Sequence, residues 1–279
     1  MTPELAVKRD RLLELLKGYG SCAVAFSGGL DSTVLAKAAQ LALGDLAVAV
    51  TGVSPALAGS ELEEAKSLAR LIGIRHELIE TGELSVPAYA ANNPDRCYHC
   101  KTELFTRVEE LAARLSVAVL ADGSNADDRG DYRPGLRAAA ERQVKSPLAE
   151  CGLSKAEIRT LAEHWQLPTW DKPAAPCLSS RIAYGESVTP ERLAMIERAE
   201  DFLRQRGFKP LRVRYHRGEV ARIEVAPDAL DRFADEQFRR ELVEHFKSLG
   251  FKYVSLDLEG FRSGSLNAVL PLGNIGRRS

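Results

Sequence analysis

The sequence predicts an α/β fold: a parallel sheet with helices on both faces, followed by a smaller C-terminal α+β domain. Three observations carry this. Short apolar runs alternate with amphipathic helical stretches through the first half of the chain. Loops rich in Gly, Ser and Asp come directly after two of those runs, at the sheet edge where α/β folds bind ligands. The proline-bearing stretch Leu167–Cys177 then interrupts the pattern, and the segments beyond it read as strands and helices of a separate unit.

Taken in order, Thr2 and Pro3 signal the start of an amphipathic N-terminal helix. Ala23–Phe26 reads as a strand, and a helix from about Asp31 to Leu43 comes after Gly28–Gly29. Leu46–Thr51 is a second buried strand. Gly59–Ile72 places Leu62, Ala65, Leu68, Ala69 and Ile72 on one helical face. Arg75–Glu80 reads as a strand, Lys101–Leu115 as a helix and Val117–Ala121 as a strand. Ser154 caps a helix over Lys155–Trp165. Past the prolines come a helix (Pro190–Arg206), a hairpin (Leu211–His216 and Ala221–Val225), a helical stretch through Asp228–Leu249 and a last strand, Tyr253–Leu258. The expected domains are residues 1–172 and 173–279.

The bulk numbers exclude several classes. With 279 residues, 45% of them hydrophobic, the chain can bury a full core. A formal net charge of -1 with interspersed signs gives no bias toward nucleic acid or membrane. No apolar run approaches the roughly 20 residues of a membrane span, and the N-terminus lacks an apolar signal core, so the expected location is the cytoplasm. Five cysteines in such a chain argue against a disulfide framework. Cys22 sits in an apolar strand pattern and Cys151 has no chemical company, so both read as structural.

Ser27–Gly28–Gly29–Leu30–Asp31–Ser32 joins a strand to a helix N-terminus. The glycines let the backbone turn tightly against a phosphate, and the helix N–H groups favour an anion. Ser27 and Ser32 add hydroxyls. Asp31 is itself negative, so it either holds Mg²⁺ or fixes the loop. Neither G-x-x-x-x-G-K-S/T nor G-x-G-x-x-G occurs at this loop. A plain Gly-Gly turn is the bland alternative. A second loop, Asp122–Asp128, comes after the strand Val117–Ala121. It is either a capped turn or a nucleotide and metal contact, with Gly123 and Asp128 as candidates.

Cys97 and Cys100 form a lone C-x-x-C at a helix start between Arg96 and Lys101, a setting that lowers thiol pKa values and suits metal ligation or redox work. One pair cannot complete a zinc site. Cys177 lies in Pro176–Cys177–Leu178–Ser179–Ser180–Arg181, where Arg181 could stabilise a thiolate. Arg212 and Arg214 alternate on one strand and share a face, as an anion site would need. Arg217 and Arg262 are lesser candidates. Glu200 is read as an exposed helical residue that could act as an acid or base, and His99 as a solvent-exposed loop histidine or a metal ligand.

The string S-G-G-x-D-S resembles the PP-loop of the ATP pyrophosphatases and matches it at every position, which implies the adenine nucleotide alpha hydrolase-like fold and ATP cleavage between the α and β phosphates. Ser27–Ser32, Arg96–Lys101, Gly123–Asp128, Pro176–Arg181 and Asp257–Asn267 in that order resemble the LarE family, ATP-dependent sulfur transferases of nickel-pincer nucleotide biosynthesis, over nearly the whole chain. That resemblance implies adenylation of a carboxylate on a pyridinium biscarboxylate mononucleotide, displacement of AMP by sulfur, and a thiocarboxylate product. It implies ATP, Mg²⁺ and a homo-oligomer, with no nucleic-acid or membrane partner. It places Arg212 and Arg214 at a substrate phosphate. In one branch Cys177 matches a sacrificial sulfur donor. With Cys97 and Cys100 also present, the chain resembles the three-cysteine variant, whose thiols bind a [4Fe-4S] cluster. An ammonia-using ligase, a tRNA thiolase and a non-catalytic nucleotide sensor are the other readings. The ligase would not need these thiols, the thiolase should show a basic patch or zinc ribbon, and the sensor would release no pyrophosphate.

Overall fold

Thr2 caps the first helix, α1 (Pro3–Gly18): its Oγ1 accepts from the Leu5 N–H at 3.3 Å, and Pro3 occupies the first turn, where its missing N–H costs nothing. This computed structural model describes residues 1–128, 134–173, 175–262 and 264–269. It divides into two units. The first comprises residues 1–83 and 97–175; the second comprises 84–96 and the described residues from 176 onward.

In the first unit, β1 (Cys22–Ala25) leads into α2 (Leu30–Leu43), β2 (Ala47–Val53), α3 (Gly59–Ile72) and β3 (Arg75–Glu80). The chain then enters the second unit, where the one-turn α4 (Pro87–Ala90) lies, and returns along α5 (Arg96–Leu115). β4 (Val119–Ala121), α6 (Pro134–Glu141), α7 (Pro147–Glu150) and α8 (Lys155–His164) complete it. The four strands pair in parallel in the order β3-β2-β1-β4.

Alternate residues of the two central strands enter different cores. Cys22, Val24, Ala47 and Ala49 pack with residues of α1, α2, α3 and α8. Ala23, Val48 and Val50 pack with Val108 and Leu111 of α5. Near-continuous apolar strands are what a sheet covered on both faces requires. The α8 start is closed by a reciprocal capping box between Ser154 and Glu157.

In the second unit, α9 (Pro190–Gln205) precedes β5 (Leu211–His216), β6 (Val220–Val225), a 3-10 stretch (Pro227–Ala234), α10 (Glu236–Ser248) and β7 (Tyr253–Leu256). β5 and β6 are antiparallel, and β7 adds to β6 in parallel, in the order β5-β6-β7. Val213, Tyr215, Ile223 and Val225 are buried, as are Leu193, Ile196 and Leu203 of α9 and Phe246 of α10.

Several elements depart from the sequence expectation. The helix expected from Lys101 begins at Arg96, so both C-x-x-C thiols lie near its start. The stretch Asp228–Leu249 is not one helix but a 3-10 stretch and α10, divided at Asp235, whose side chain caps α10 by accepting from the Phe238 N–H at 2.7 Å. Residues 84–96 join the second unit through specific bonds. The Val188 N–H donates to the Ala90 carbonyl at 2.8 Å, and Asn92 Nδ2 donates to the Ile182 and Ala183 carbonyls at 3.2 and 2.8 Å. The units part between 175 and 176, a few residues beyond the position that Pro173 indicated. Among the described residues, no helix is long and apolar enough to cross a membrane.

Candidate active site

Ser27–Ser32 leaves β1 and closes on the N-terminus of α2 as a bonded knot. The Ser27 N–H donates to Ser32 Oγ at 3.3 Å, Ser32 Oγ donates to the Gly29 carbonyl at 3.1 Å, and the Gly29 N–H donates to Ser27 Oγ at 3.3 Å. Gly28 has φ +69, and a Cβ there would stand 3.2 Å from Ala65 of α3. Only glycine meets both demands. Upstream, the Phe26 N–H bonds the Val50 carbonyl at 2.8 Å, and Thr51 Oγ1 donates to the Phe26 carbonyl at 2.7 Å. His76 Nε2 lies 2.8 Å from that same hydroxyl. Since the Thr51 proton points at Phe26, His76 Nε2 is the donor to that hydroxyl; burial holds its pKa below the ordinary histidine value.

Two lysines that the sequence reading missed converge on this loop. Lys155, the first residue of α8, pairs with Asp31 Oδ2, while Asn125 Nδ2 donates to Asp31 Oδ1 at 3.5 Å. Lys172 Nζ donates to the Gly28 carbonyl at 3.4 Å and pairs with Glu61 and Glu64 of α3 at 2.9 and 2.8 Å. Burial pulls the Lys172 pKa down, but hydrogen bonds to the two glutamates outweigh it and leave the pKa raised. Both are far from Ser27–Ser32 in sequence. The faint signal was position: Lys155 opens a capped helix, and Lys172 lies in the proline-rich stretch.

The loop after β4 packs directly on the first. A Cβ on Gly123 would lie 2.9 Å from the Ser32 nitrogen and 3.1 Å from the Asp31 carbonyl carbon. Gly123→Ala is therefore expected to cost about 1–3 kcal/mol of stability through overpacking and to weaken nucleotide binding, read by a denaturant melt and an ATP titration. The acidic residues of this loop hold its shape. Asp122 Oδ1 accepts from the Ser124 N–H at 3.1 Å and Ser146 Oγ at 2.8 Å, and Asp128 Oδ2 accepts from the Asn125 N–H at 3.0 Å. Asp127 Oδ2 accepts from the Lys155 N–H at 2.8 Å, so this loop also fixes where Lys155 starts.

The five cysteines separate by environment. None is in a disulfide. Cys22 and Cys151 are buried, and burial pushes the Cys22 thiol up to about 12 and raises that of Cys151. Cys97 is exposed and Cys100 partly so, on adjacent turns at the positive end of α5. The Arg96 guanidinium is turned away from solvent: its Nη1 donates to Asn92 Oδ1 and, at 2.8 Å, to the Ser179 carbonyl within the second unit. Beside the thiol pair, Tyr98 donates to Glu141 at 2.6 Å beneath Arg137, whose guanidinium lies 4.0 Å from the ring centre. His99 packs edge-on to Tyr98.

In the second unit, Arg181 organises the Cys177 loop. Its Nη1 donates to the Pro176 carbonyl and to the Cys177 carbonyl at 2.8 Å, and Nε pairs with Glu200 at 3.0 Å. Ser180 Oγ also donates to the Cys177 carbonyl at 2.7 Å. The Cys177 backbone is thus clamped while the residue is exposed. Glu200 is 1% exposed, not on the solvated helical face that its charge and helical position suggested. Its Oε1 accepts from both Arg181 and the Val213 N–H at 3.1 Å, which makes it an anchor.

Arg212 and Arg214 differ. Arg214 pairs with fully buried Glu224 at 2.9 Å and donates to the Ser180 carbonyl and Ser265 Oγ, both at 3.1 Å. Ser265 in turn donates to Glu224 at 2.5 Å. Arg212 has no ion-pair partner among the described residues; Nη1 donates to its neighbour's carbonyl at 2.7 Å and the guanidinium lies 5.3 Å from the Phe261 ring centre. Burial first, then the adjacent Arg181 and Arg214, lowers its pKa to about 10. Among described residues, this is a half-buried cation with no direct ion pair, although Glu200 and Glu224 lie near enough to oppose that lowering. Arg217 is exposed, and Arg262 pairs with Asp257 at 3.2 Å and with Glu259. Of the distinctive terminal string, Ser263 and the Asn267 side chain lie outside the described residues.

No protein-family model matches the chain. The uncharacterized protein slr1717 of Synechocystis sp. is 47% identical, covering 95% of this chain and 99% of that protein. Pyridinium-3,5-bisthiocarboxylic acid mononucleotide synthase of Lactiplantibacillus plantarum is 38% identical, covering 95% of this chain and 96% of the synthase. The uncharacterized protein MJ0830 of Methanocaldococcus jannaschii is 30% identical, covering 86% of this chain and 90% of that protein. With a parallel sheet that carries S-G-G-L-D-S after its first strand, and end-to-end similarity to the synthase, the chain belongs to the LarE family of ATP-dependent sulfur transferases.

Proposed function

We propose that the protein adenylates a carboxylate of pyridinium-3,5-biscarboxylic acid mononucleotide and replaces AMP with sulfur, giving a thiocarboxylate for a nickel-pincer cofactor. The observation that carries this is the phosphate cradle at Ser27–Ser32 in a chain that matches a bisthiocarboxylic acid mononucleotide synthase end to end. The substrate carboxylate oxygen attacks the ATP α-phosphorus, and the bond to the bridging oxygen breaks to release pyrophosphate. Sulfur then attacks the activated carbonyl carbon, and AMP leaves with the C–O electron pair.

The loop amides and the α2 N-terminus bind the phosphates. Lys155 and Lys172 offset charge as pyrophosphate separates. Asp31 orients Lys155 and offers Oδ1 to the Mg²⁺ that accompanies ATP. Arg212 receives a phosphate or carboxylate of the mononucleotide, and Arg214 and Arg181 hold their partners around it. Arg212→Ala is expected to raise KM for the mononucleotide by about ten- to a hundredfold, the loss of a charge-assisted hydrogen-bond pair. An ATP titration serves as the control.

Cys97, Cys100 and Cys177 are the accessible soft donors, and their chemistry fits a three-thiolate [4Fe-4S] cluster. Among the described residues, no three His, Cys, Asp or Glu side chains converge on one point as a metal-ion site. A bound cluster would supply an open iron able to carry a transferable sulfide. The second reading rests on Cys177 itself, exposed on a clamped backbone: its Sγ would attack the adenylate, and loss of the α-proton with the thiocarboxylate would leave dehydroalanine. Homo-oligomer formation, implied by the family, is expected as well. The test incubates cluster-reconstituted protein with sulfide, Mg·ATP and the mononucleotide; the reading requires AMP, pyrophosphate and thiocarboxylate in equal amounts, and formation of ADP would oppose it.

A further inference from the structure

Glu61 and Glu64 place two carboxylates beside a loop that the proposed reaction fills with phosphates. They lie one turn apart near the start of α3, and both pair with Lys172 Nζ, at 2.9 and 2.8 Å. The same Nζ donates to the Gly28 carbonyl at 3.4 Å. An ammonium has three N–H donors, so these three acceptors use all of them. Ala65, the next residue of α3, stands 3.2 Å from where a Gly28 Cβ would be. The helix therefore holds Gly28 twice: directly through Ala65, and through Glu61 and Glu64 by way of Lys172. Glu61 is in the first turn, where the helix dipole alone accommodates a carboxylate. That accounts neither for Glu64 nor for the lysine held between the two. The group is open to a ligand, since the side chains of Lys172, Glu61 and Glu64 keep 14%, 28% and 42% of their exposure.

One ammonium against two carboxylates leaves a net negative group next to Gly28. The other lysine at the loop, Lys155, is paired with Asp31. Neither lysine thus meets an incoming phosphate as an unopposed charge. A phosphate oxygen gains a hydrogen bond from Lys172 only by displacing one of its three acceptors, and at least one carboxylate stays on Nζ beside it. The competition matters most after ATP is cleaved. Pyrophosphate carries an ionisable oxygen that was esterified in ATP, so it draws harder on a nearby ammonium than the same two phosphates did before. Carboxylates that remain on Nζ offset that extra attraction and recover the lysine as the product leaves.

We propose that Glu61 and Glu64 compete with pyrophosphate for Lys172 and so speed its release, a proposal that rests on the ATP reading above. Both are positioning residues that act through the lysine. The experiment measures Kd for inorganic pyrophosphate and for ATP, each with Mg²⁺, on full-length wild type, Glu61→Gln, Glu64→Gln, the double glutamine variant and Lys172→Met. Glutamine keeps the size of the side chain and removes its charge, and a urea melt checks that each variant folds. The double variant should bind pyrophosphate about tenfold more tightly than wild type, the scale of one close, partly desolvated charge pair, and each single variant should lie between. Its kcat should fall together with KM for ATP, the mark of a product held too long; loss of a merely structural contact would raise KM instead. Lys172→Met should weaken pyrophosphate binding about tenfold, and in that background the two glutamine changes should alter Kd by about twofold or less. Pyrophosphate bound equally or more weakly by a folded double variant overturns the proposal. Full tightening that persists without Lys172 also overturns it, because the carboxylates then act by simple repulsion. Wild type that binds both ligands while the glutamine variants match it removes this proposal alone, whereas wild type that binds neither removes the ATP reading with it.

Discussion

Asp31→Ala is expected to lower pyrophosphate release by about a hundred- to a thousandfold, the scale on which one preorganised electrostatic group acts in a catalytic site. The aspartate sits in the first turn of α2, beside the loop that would hold the phosphates. Its two oxygens are shared between Lys155 and Asn125, residues from two other segments of the first unit. Removing the carboxylate releases Lys155 from its position and takes away the oxygen offered to Mg²⁺. Asp31→Asn separates the two roles. It keeps the shape but loses the charge that pairs with Lys155, so a metal-binding role predicts partial rescue by Mn²⁺ while a purely structural one does not. A continuous pyrophosphate assay reads the rate, and a urea melt confirms that each variant folds.

Cys177→Ala should abolish sulfur transfer while pyrophosphate release continues. In the proposed reaction adenylation uses the first-unit loop and ATP, and the thiol enters only when the adenylate is attacked. The Cys177 backbone is held by Arg181 and Ser180 through its carbonyl, not through sulfur, so alanine removes the thiol without loosening the loop. Cys97→Ala and Cys100→Ala then decide the sulfur source. A cluster carrier predicts that each abolishes transfer and that anaerobic reconstitution gives protein with bound iron only when all three cysteines are present. Sacrificial donation predicts that both variants still transfer sulfur once, with loss of one sulfur and two hydrogens from Cys177 by mass spectrometry.

Much of the fold and of the Ser27–Ser32 loop's placement was legible in the sequence, for local reasons. Strand β1, Ser27–Ser32 and α2 are contiguous, so turn chemistry, helix-start chemistry and strand propensity all act on one short stretch. The continuous burial of Cys22–Val24 and Ala47–Val50 arises from runs too apolar to face water on either side. The features that escaped the sequence depend on residues far apart in the chain. Lys155 meets Asp31, and Lys172 meets Gly28, across more than a hundred residues. Residues 84–96 join the second unit because Tyr89 and Asn92 find Ser179, Ile182 and Ala183 about ninety positions later. Glu200 shows the limit of helical periodicity. Its charge argued for solvent, but Arg181 and the Val213 N–H satisfy that charge inside, which makes burial tolerable.

The central claim is that the Ser27–Ser32 loop supports cleavage of ATP between the α and β phosphates to activate a carboxylate. The most direct measurement tracks [α-³²P]ATP with purified, sulfide-supplied protein, Mg²⁺ and the mononucleotide in carboxylate-¹⁸O form. The account predicts labelled AMP carrying one ¹⁸O, with pyrophosphate released in equal amount, since the carboxylate oxygen stays with AMP when sulfur displaces it. Labelled ADP, or AMP without ¹⁸O, would contradict it.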